Sequence, residues 1–100
     1  MQFLVLARDG QDAEAPARRL RWRPQHLDSV AKLKATGNFI LGGAILDEQG
    51  AMVGSAAVFE FADRSQLEAY LARDPYVSGQ VWQHYEVHPF RVANVEASGG

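Results

Sequence analysis

An α+β fold, with two helices laid on one face of a four-stranded antiparallel sheet, is predicted by three observations. Four β-rich runs (residues 3–7, 39–46, 52–61 and 81–92) are separated by two stretches of helical spacing, which gives the order βαββαβ. Turn and cap residues stand where those elements must end, at Gly37-Asn38, at Asp47 to Gly50 and at Asp74-Pro75. A length of 100 residues fits one hydrophobic core.

The run Phe3-Leu4-Val5-Leu6-Ala7 is continuously apolar and stops at Arg8-Asp9-Gly10, the pattern of a central strand covered on both faces. Residues 9–16 are polar and read as a loop. Pro24 suits a first helical turn, so the main helix is expected to start near it, after a weakly specified turn over residues 16–21. Leu27, Val30, Ala31 and Lys34 follow helical spacing, and Gly37-Asn38 supplies a left-handed stop. Residues 39–46 and 52–61 form a hairpin around Asp47-Glu48-Gln49-Gly50.

Asp63 and Gln66 make an Asp-x-x-Gln form of the capping box ahead of a second helix whose stripe is Leu67, Tyr70 and Leu71. Residues 81–92 supply the last strand, with Pro89 marking an edge or a bulge. The arrangement is ferredoxin-like. Residues 1–92 read as a single domain and residues 93–100 as a frayed tail. Two helices cover only one sheet face, whereas the third strand carries Phe59 and Phe61 on one side and Met52, Ala56 and Val58 on the other. A second copy packed sheet to sheet is the simplest cover, so a homodimer is expected.

A net charge of −2 gives no basic face for nucleic acid. Arg18, Arg19, Arg21 and Arg23 form the one basic cluster, read as a solvated helix start or, better than a nucleic-acid patch, as a binder of an anionic small molecule. The absence of cysteine removes disulfides, thiolate metal sites and cysteine nucleophiles. The first apolar run is too short for a signal-peptide core and nothing approaches a membrane span, so a cytoplasmic protein is expected.

His26 falls in angle between Val30 and Leu33, at the margin of the buried stripe. It reads either as a boundary histidine bonded to a carbonyl or as an acid-base group, since its ordinary pKa lies near neutrality. Asp74 follows Tyr70 by four and Leu67 by seven, which puts it on the inward face of the second helix, while Asp-Pro is also a good cap for another short turn. The two roles are compatible if one carboxylate oxygen caps and the other holds an imidazole.

Ser29, Ser55, Ser65 and Ser78 lack a nucleophile-elbow setting, which leaves proton transfer as the natural chemistry. His84, Glu86 and His88 alternate on one face of the last strand, adequate for a metal but equally the polar side of a half-exposed strand; no metal is assigned. Gly42, Gly43 and Gly54 lie inside strand patterns and mark a close approach or a pocket floor. Trp22, Trp82, Tyr76 and Tyr85 line a cleft or pack in the core. No phosphate-cradling loop is expected, since no glycine pair opens a helix followed by Lys, and no cofactor is assigned.

Arg23-Pro24-x-His26-Leu27, Gly37 followed by Gly42-Gly43, Gly54-Ser55, Asp74-Pro75-Tyr76-Val77 and Val87-x-Pro89-Phe90 occur in that order over residues 3–91. Together they resemble the pattern of the YciI-like, YCII-related family. The resemblance implies a ferredoxin-like fold of the dimeric α/β-barrel type and dimerisation through the sheets. It also implies an acid-base pair matching His26 and Asp74. Arg23, Gly43, Ser55 and Tyr76 are the candidate substrate-binding positions. One member type resembles a dehalogenating enzyme acting on hydroxylated aromatics, and the fold also hosts isomerases and monooxygenases. Ala44 departs from the pattern, where Pro often follows the glycine pair. Two functions stay open: acid-base chemistry of dehalogenase, isomerase or lyase type on a small cyclic or aromatic substrate, or a non-catalytic, dimeric metabolite-binding or accessory module.

Overall fold

The opening apolar run becomes β1 (Gln2–Asp9), the inner strand around which the computed structural model is built; residues 1–97 are described. It is followed by α1 (Ala15–Ala35), β2 (Phe39–Leu46), β3 (Met52–Glu60), α2 (Arg64–Leu71), α3 (Pro75–Ser78) and β4 (Trp82–Phe90). The strand order is β2-β3-β1-β4 and every neighbouring pair is antiparallel, so the fold is ferredoxin-like, with the helices on one face. Pro89 is tolerated because β4 is an edge strand. Residues 93–97 have no regular structure and are exposed; the remainder of the expected tail lies outside the described residues.

Strand alternation divides the sheet into two unequal faces. Phe3, Val5 and Ala7 stand opposite Phe59, Ala57 and Ser55, and pack with Leu67, Tyr70, Leu71, Tyr76 and Trp82 into the core beneath the helices. The expectation that β1 is covered on both faces is corrected within one chain. Leu4 and Leu6 are only half-buried on the other face, beside Val58 and opposite His88 and Glu86. Leu41 lies opposite Val58 on this face and is 58% exposed.

The main helix differs from its expected start. It runs unbroken from Ala15 to Ala35 through Pro24, with Pro16 taking the first turn. Pro24 has no N–H to give the carbonyl of Leu20, a cost that local propensity assigns to a helix break. Packing overrides it, because Ala15 and Arg19 before the proline and Val30 after it are all buried. The buried stripe is likewise shifted in phase: Arg19, Trp22, His26, Val30 and Leu33 turn inward, whereas Leu27, Ala31 and Lys34 are exposed.

Helix α1 ends as expected. Gly37 takes φ +81°, and Asn38 N–H donates to the Leu33 carbonyl (2.8 Å) while Gly37 N–H donates to that of Lys34 (3.2 Å). The β2–β3 loop is pinned by Asp47, whose Oδ1 accepts from the N–H groups of Gln49 and Ala51, both at 2.9 Å. Asp63 caps α2 through the Gln66 N–H, which holds its carboxyl below the ordinary carboxylate value, but no side-chain bond returns from Gln66, so only half of the capping box forms.

Two strand glycines are required by close approach. A Cβ on Gly54 would collide with the Ala7 carbonyl oxygen, and one on Gly42 would stand 2.8 Å from the Phe39 ring. Among the described residues nothing lies within 4 Å of the corresponding position at Gly43. Gly54→Ala is therefore expected to destabilise the protein by about 1–3 kcal/mol or more in urea unfolding, because backbone of the central strand has to move. Gly43→Ala should stay within about 1 kcal/mol of the parent. Equal midpoints for the two variants would contradict this packing.

Candidate functional site

The carboxylate of Asp74 is fully buried, with 0% exposure, at the junction of the three helices. It caps α3, with Pro75 at the first helical position, and so lies just beyond α2 rather than on that helix's inward face. Its Oδ1 accepts from the Tyr76 N–H (2.8 Å) and from His26 Nδ1 (2.8 Å), and its Oδ2 accepts from the Tyr70 hydroxyl (2.5 Å). Capping and holding the imidazole thus fall to the same oxygen, and the other belongs to Tyr70. The expected division of one oxygen per role is corrected by this arrangement. The tyrosine is recruited because a buried carboxylate needs a donor on each oxygen.

His26 comes from the middle of α1 and is held as tightly. Its side chain is 14% exposed and its ring stacks on Tyr76, with centroids 3.9 Å apart and planes 8° apart. The edge of Trp82 stands at 5.8 Å. A carboxylate oxygen that already accepts from a backbone N–H draws a hydrogen from Nδ1, which assigns the Nδ1–H tautomer to the neutral ring and leaves Nε2 as its lone-pair nitrogen. Nε2 has no hydrogen-bond partner among the described residues.

His26 lines a cavity of about 170 Å³ between α1 and the β2–β3 half of the sheet, and Asp74 stands behind it, holding the ring from the protein interior. Phe39, Met52, Ala56, Ala57 and Phe59 make it largely apolar, and Arg19, Arg23, His26 and Ser55 bring polar groups to the wall. An apolar cavity of about 150 Å³ holds one benzene ring, so the volume suits a small cyclic compound. Arg23, Gly43, Ser55 and Tyr76 all belong to this lining. Of the four aromatics considered for a cleft, Tyr76 and Trp82 line the cavity, while Trp22 and Tyr85 pack against the core.

The arginine cluster does not act as one patch. Arg18 makes a two-pronged pair with Asp12 (2.7 and 3.1 Å), which holds the Asp12 carboxyl below its ordinary value, and Arg21 lies over Trp22. Arg19 is buried, its Nη1 bonded to both oxygens of Asp9 at 2.9 Å and its Nη2 to Ser55 Oγ at 2.9 Å. Tyr70, Arg19 and Trp82 are site residues that sequence reasoning missed or left unassigned. The signals were Tyr70 one helical turn before Asp74 and Arg19 two turns before His26. His84, Glu86 and His88 lie on the opposite sheet face, exposed, and among the described residues no group of three potential ligands stands close enough to hold a metal ion.

The fold and the cavity define a class: a ferredoxin-like α+β domain with a small, mostly apolar recess lined in part by a histidine that a buried aspartate holds. The sequence matches the YCII-related domain over residues 1–91, and the chain belongs to that family. It is 30% identical to Protein YciI of Escherichia coli O6:H1 over 97 residues, covering 91% of this chain and 97% of the relative. An uncharacterized protein of Haemophilus influenzae is 29% identical over 97 residues, with the same coverage. Among solved structures, 5-chloro-2-hydroxyhydroquinone dehydrochlorinase of Burkholderia phenoliruptrix AC1100, in complex with 2,5-dihydroxybenzoquinone, superposes with a TM-score of 0.79 at 21% identity. The match covers 93% of this chain and 96% of that one, and shows a shared fold. No helix among the described residues is long and apolar enough to cross a membrane.

Tyr70→Phe tests the buried network. Removing the hydroxyl leaves Asp74 Oδ2 without its donor and is expected to cost about 1–3 kcal/mol. Burial, reinforced by the bond to Asp74, raises the Tyr70 pKa above the ordinary 10.0. The folded protein therefore keeps a proton that the unfolded chain has released, and stability falls as pH rises beyond 10.0. The Tyr70→Phe variant should lose stability with a shallower slope over that range. Parallel slopes for the two proteins in urea titrations would contradict the assignment.

Proposed function

We propose that this chain is a small-molecule enzyme in which His26 transfers a proton to or from a small cyclic or aromatic substrate, oriented by Asp74. The observation that carries this reading is the imidazole fixed by a buried carboxylate at the edge of a ring-sized cavity, with Nε2 unpaired among the described residues. Fixing one nitrogen sets the tautomer and leaves the other available, and the carboxylate stabilises the imidazolium formed when a proton is taken. Dehalogenation by elimination, isomerisation and lyase-type chemistry on a hydroxylated ring can each use such a step. The dehydrochlorinase neighbour supports the small-aromatic class by analogy of fold. Arg23, Gly43, Ser55 and Tyr76 are the proposed substrate-contacting positions.

Turnover of 5-chloro-2-hydroxyhydroquinone and related hydroxylated rings, followed by ring absorbance and chloride release, tests the proposal. His26→Ala and Asp74→Asn are each expected to lower kcat by about 10²- to 10⁴-fold, with the fold retained by circular dichroism. Undiminished turnover in both variants would contradict the catalytic role. Ligand binding without turnover of any such compound would favour the non-catalytic metabolite-binding reading.

The working unit in this proposal is a homodimer packed through the open sheet face. Leu4, Leu6, Leu41, Ile45 and Val58 make that face apolar towards β2, and a two-fold axis lets one such patch cover another. Light scattering at micromolar concentration should give twice the chain mass of 11.0 kDa, and Leu41→Lys should shift the mass towards the single chain. A monomeric parent protein would contradict the dimer.

A further inference from the structure

Ser55 lies on β3, facing the helices, and its hydroxyl is in an unusual position. The residue is 6% exposed and forms part of the cavity lining. Its Oγ accepts from Arg19 Nη2 (2.9 Å) and from Trp82 Nε1 (3.2 Å). A serine hydroxyl has two acceptor positions and one hydrogen to donate, and both acceptor positions are taken. Neither arginine nor the indole N–H can accept, so the hydroxyl hydrogen has no place in that cluster. Among the described residues Ser55 Oγ donates to no acceptor. The cavity is the direction left to it.

The groups that force this orientation are themselves immobile. Arg19 is locked by Asp9, with both partners' side chains 5% exposed, and its guanidinium lies 4.8 Å from the centre of the Tyr76 ring. Trp82 is buried in the core. A cation donating to the serine oxygen polarises the O–H bond and strengthens it as a donor, and the low-dielectric surroundings amplify the effect. The result is a preorganised donor on a cavity wall that also carries a proton-transfer group, the arrangement that stabilises a developing oxyanion.

We propose that Ser55 donates its hydroxyl hydrogen to an anionic or polarised oxygen of the ligand, with Arg19 and Trp82 as positioning residues that aim it. This rests on the reading of the cavity as the substrate site, and it narrows the substrate class to small rings bearing a phenolate, enolate or conjugated carbonyl oxygen. When His26 Nε2 takes a proton from such a ring, an N–H bond forms and a C–H or O–H bond breaks. The electron pair is left on the ring and comes to rest on that oxygen, where the Ser55 hydroxyl meets it.

The test compares 4-nitrophenol with 4-nitroanisole, which has the same ring but no ionisable oxygen. Bound 4-nitrophenol is expected to ionise at lower pH than it does free in solution, read from the phenolate absorbance, and to bind about tenfold or more tighter than the anisole near neutral pH. Ser55→Ala should lose about ten- to hundredfold in phenolate affinity, and lose the spectral shift, while hardly changing affinity for the anisole. That variant leaves two buried N–H donors without an acceptor and is checked for folding by circular dichroism. If it does not fold, the parent protein decides by itself through the spectral shift and the preference between probes.

The catalytic reading is judged separately by turnover. A phenolate preference that survives His26→Ala but disappears in Ser55→Ala supports the assignment whatever the turnover result. Equal affinity for both probes, an unshifted ionisation, failure of both probes to bind the parent, or a preference that persists in folded Ser55→Ala would each overturn it.

Discussion

A carboxylate buried without its hydrogen bonds would cost more than this small fold can offset, and the whole helical layer is arranged so that Asp74 is never left in that state. Its three donors come from three separate elements: the His26 ring from α1, the Tyr70 hydroxyl from α2 and the Tyr76 N–H from the first turn of α3. Each bond fixes the placement of one helix relative to the others. The constraint also explains why α1 continues through Pro24. Only an unbroken helix can bury Arg19 over one end of the sheet and carry His26, two turns later, to Asp74.

The cavity follows from what the sheet lacks beside that junction. Gly42, Gly43 and Ala44 give β2 almost no side-chain volume, and Ser55, Ala56 and Ala57 give β3 little more, so α1 spans a space that nothing fills. Phe39 and Phe59 close one part of it, and Tyr76 and Trp82 another, next to the His26 ring. Below lies a second buried charge system, Asp9–Arg19–Ser55, joined to Trp82 through the same serine. Polar groups of this kind are fully desolvated and demand matched partners. The wall of the cavity is consequently rigid on the side where proton transfer is proposed.

Much of the fold was legible in the sequence because its signals are local. Gly37-Asn38, Asp47 to Gly50, Asp63 and Asp74-Pro75 each encode a turn or cap by the chemistry of the residues themselves, and each lies at an element boundary as expected. The start of α1 was not legible, since the preference of Pro24 for a first turn is local while the burial that overrides it comes from distant parts of the chain. The inward stripe of that helix was mis-phased for a related reason. It contains Arg19 and His26, so a search for apolar periodicity settles on Leu27 and Ala31, which stay exposed.

The site was partly legible on the same grounds. His26 and Asp74 stand out as chemical types at suggestive positions, and the structure joins them at 2.8 Å. Tyr70 did not stand out, because an aromatic in an apolar stripe looks like core packing, which it also provides next to Phe59. Arg19 was hidden among three other arginines that differ from it only in where the helix turns them.

The direct measurement of the central claim is the tautomer of His26, read from its two ring nitrogens by long-range proton–nitrogen correlation at a pH where the imidazole is neutral. Asp74 holding Nδ1 requires the hydrogen on Nδ1 and a bare Nε2, and Asp74→Asn should weaken that preference. A His26 ring protonated on Nε2, or one whose tautomer does not respond to Asp74→Asn, would contradict it.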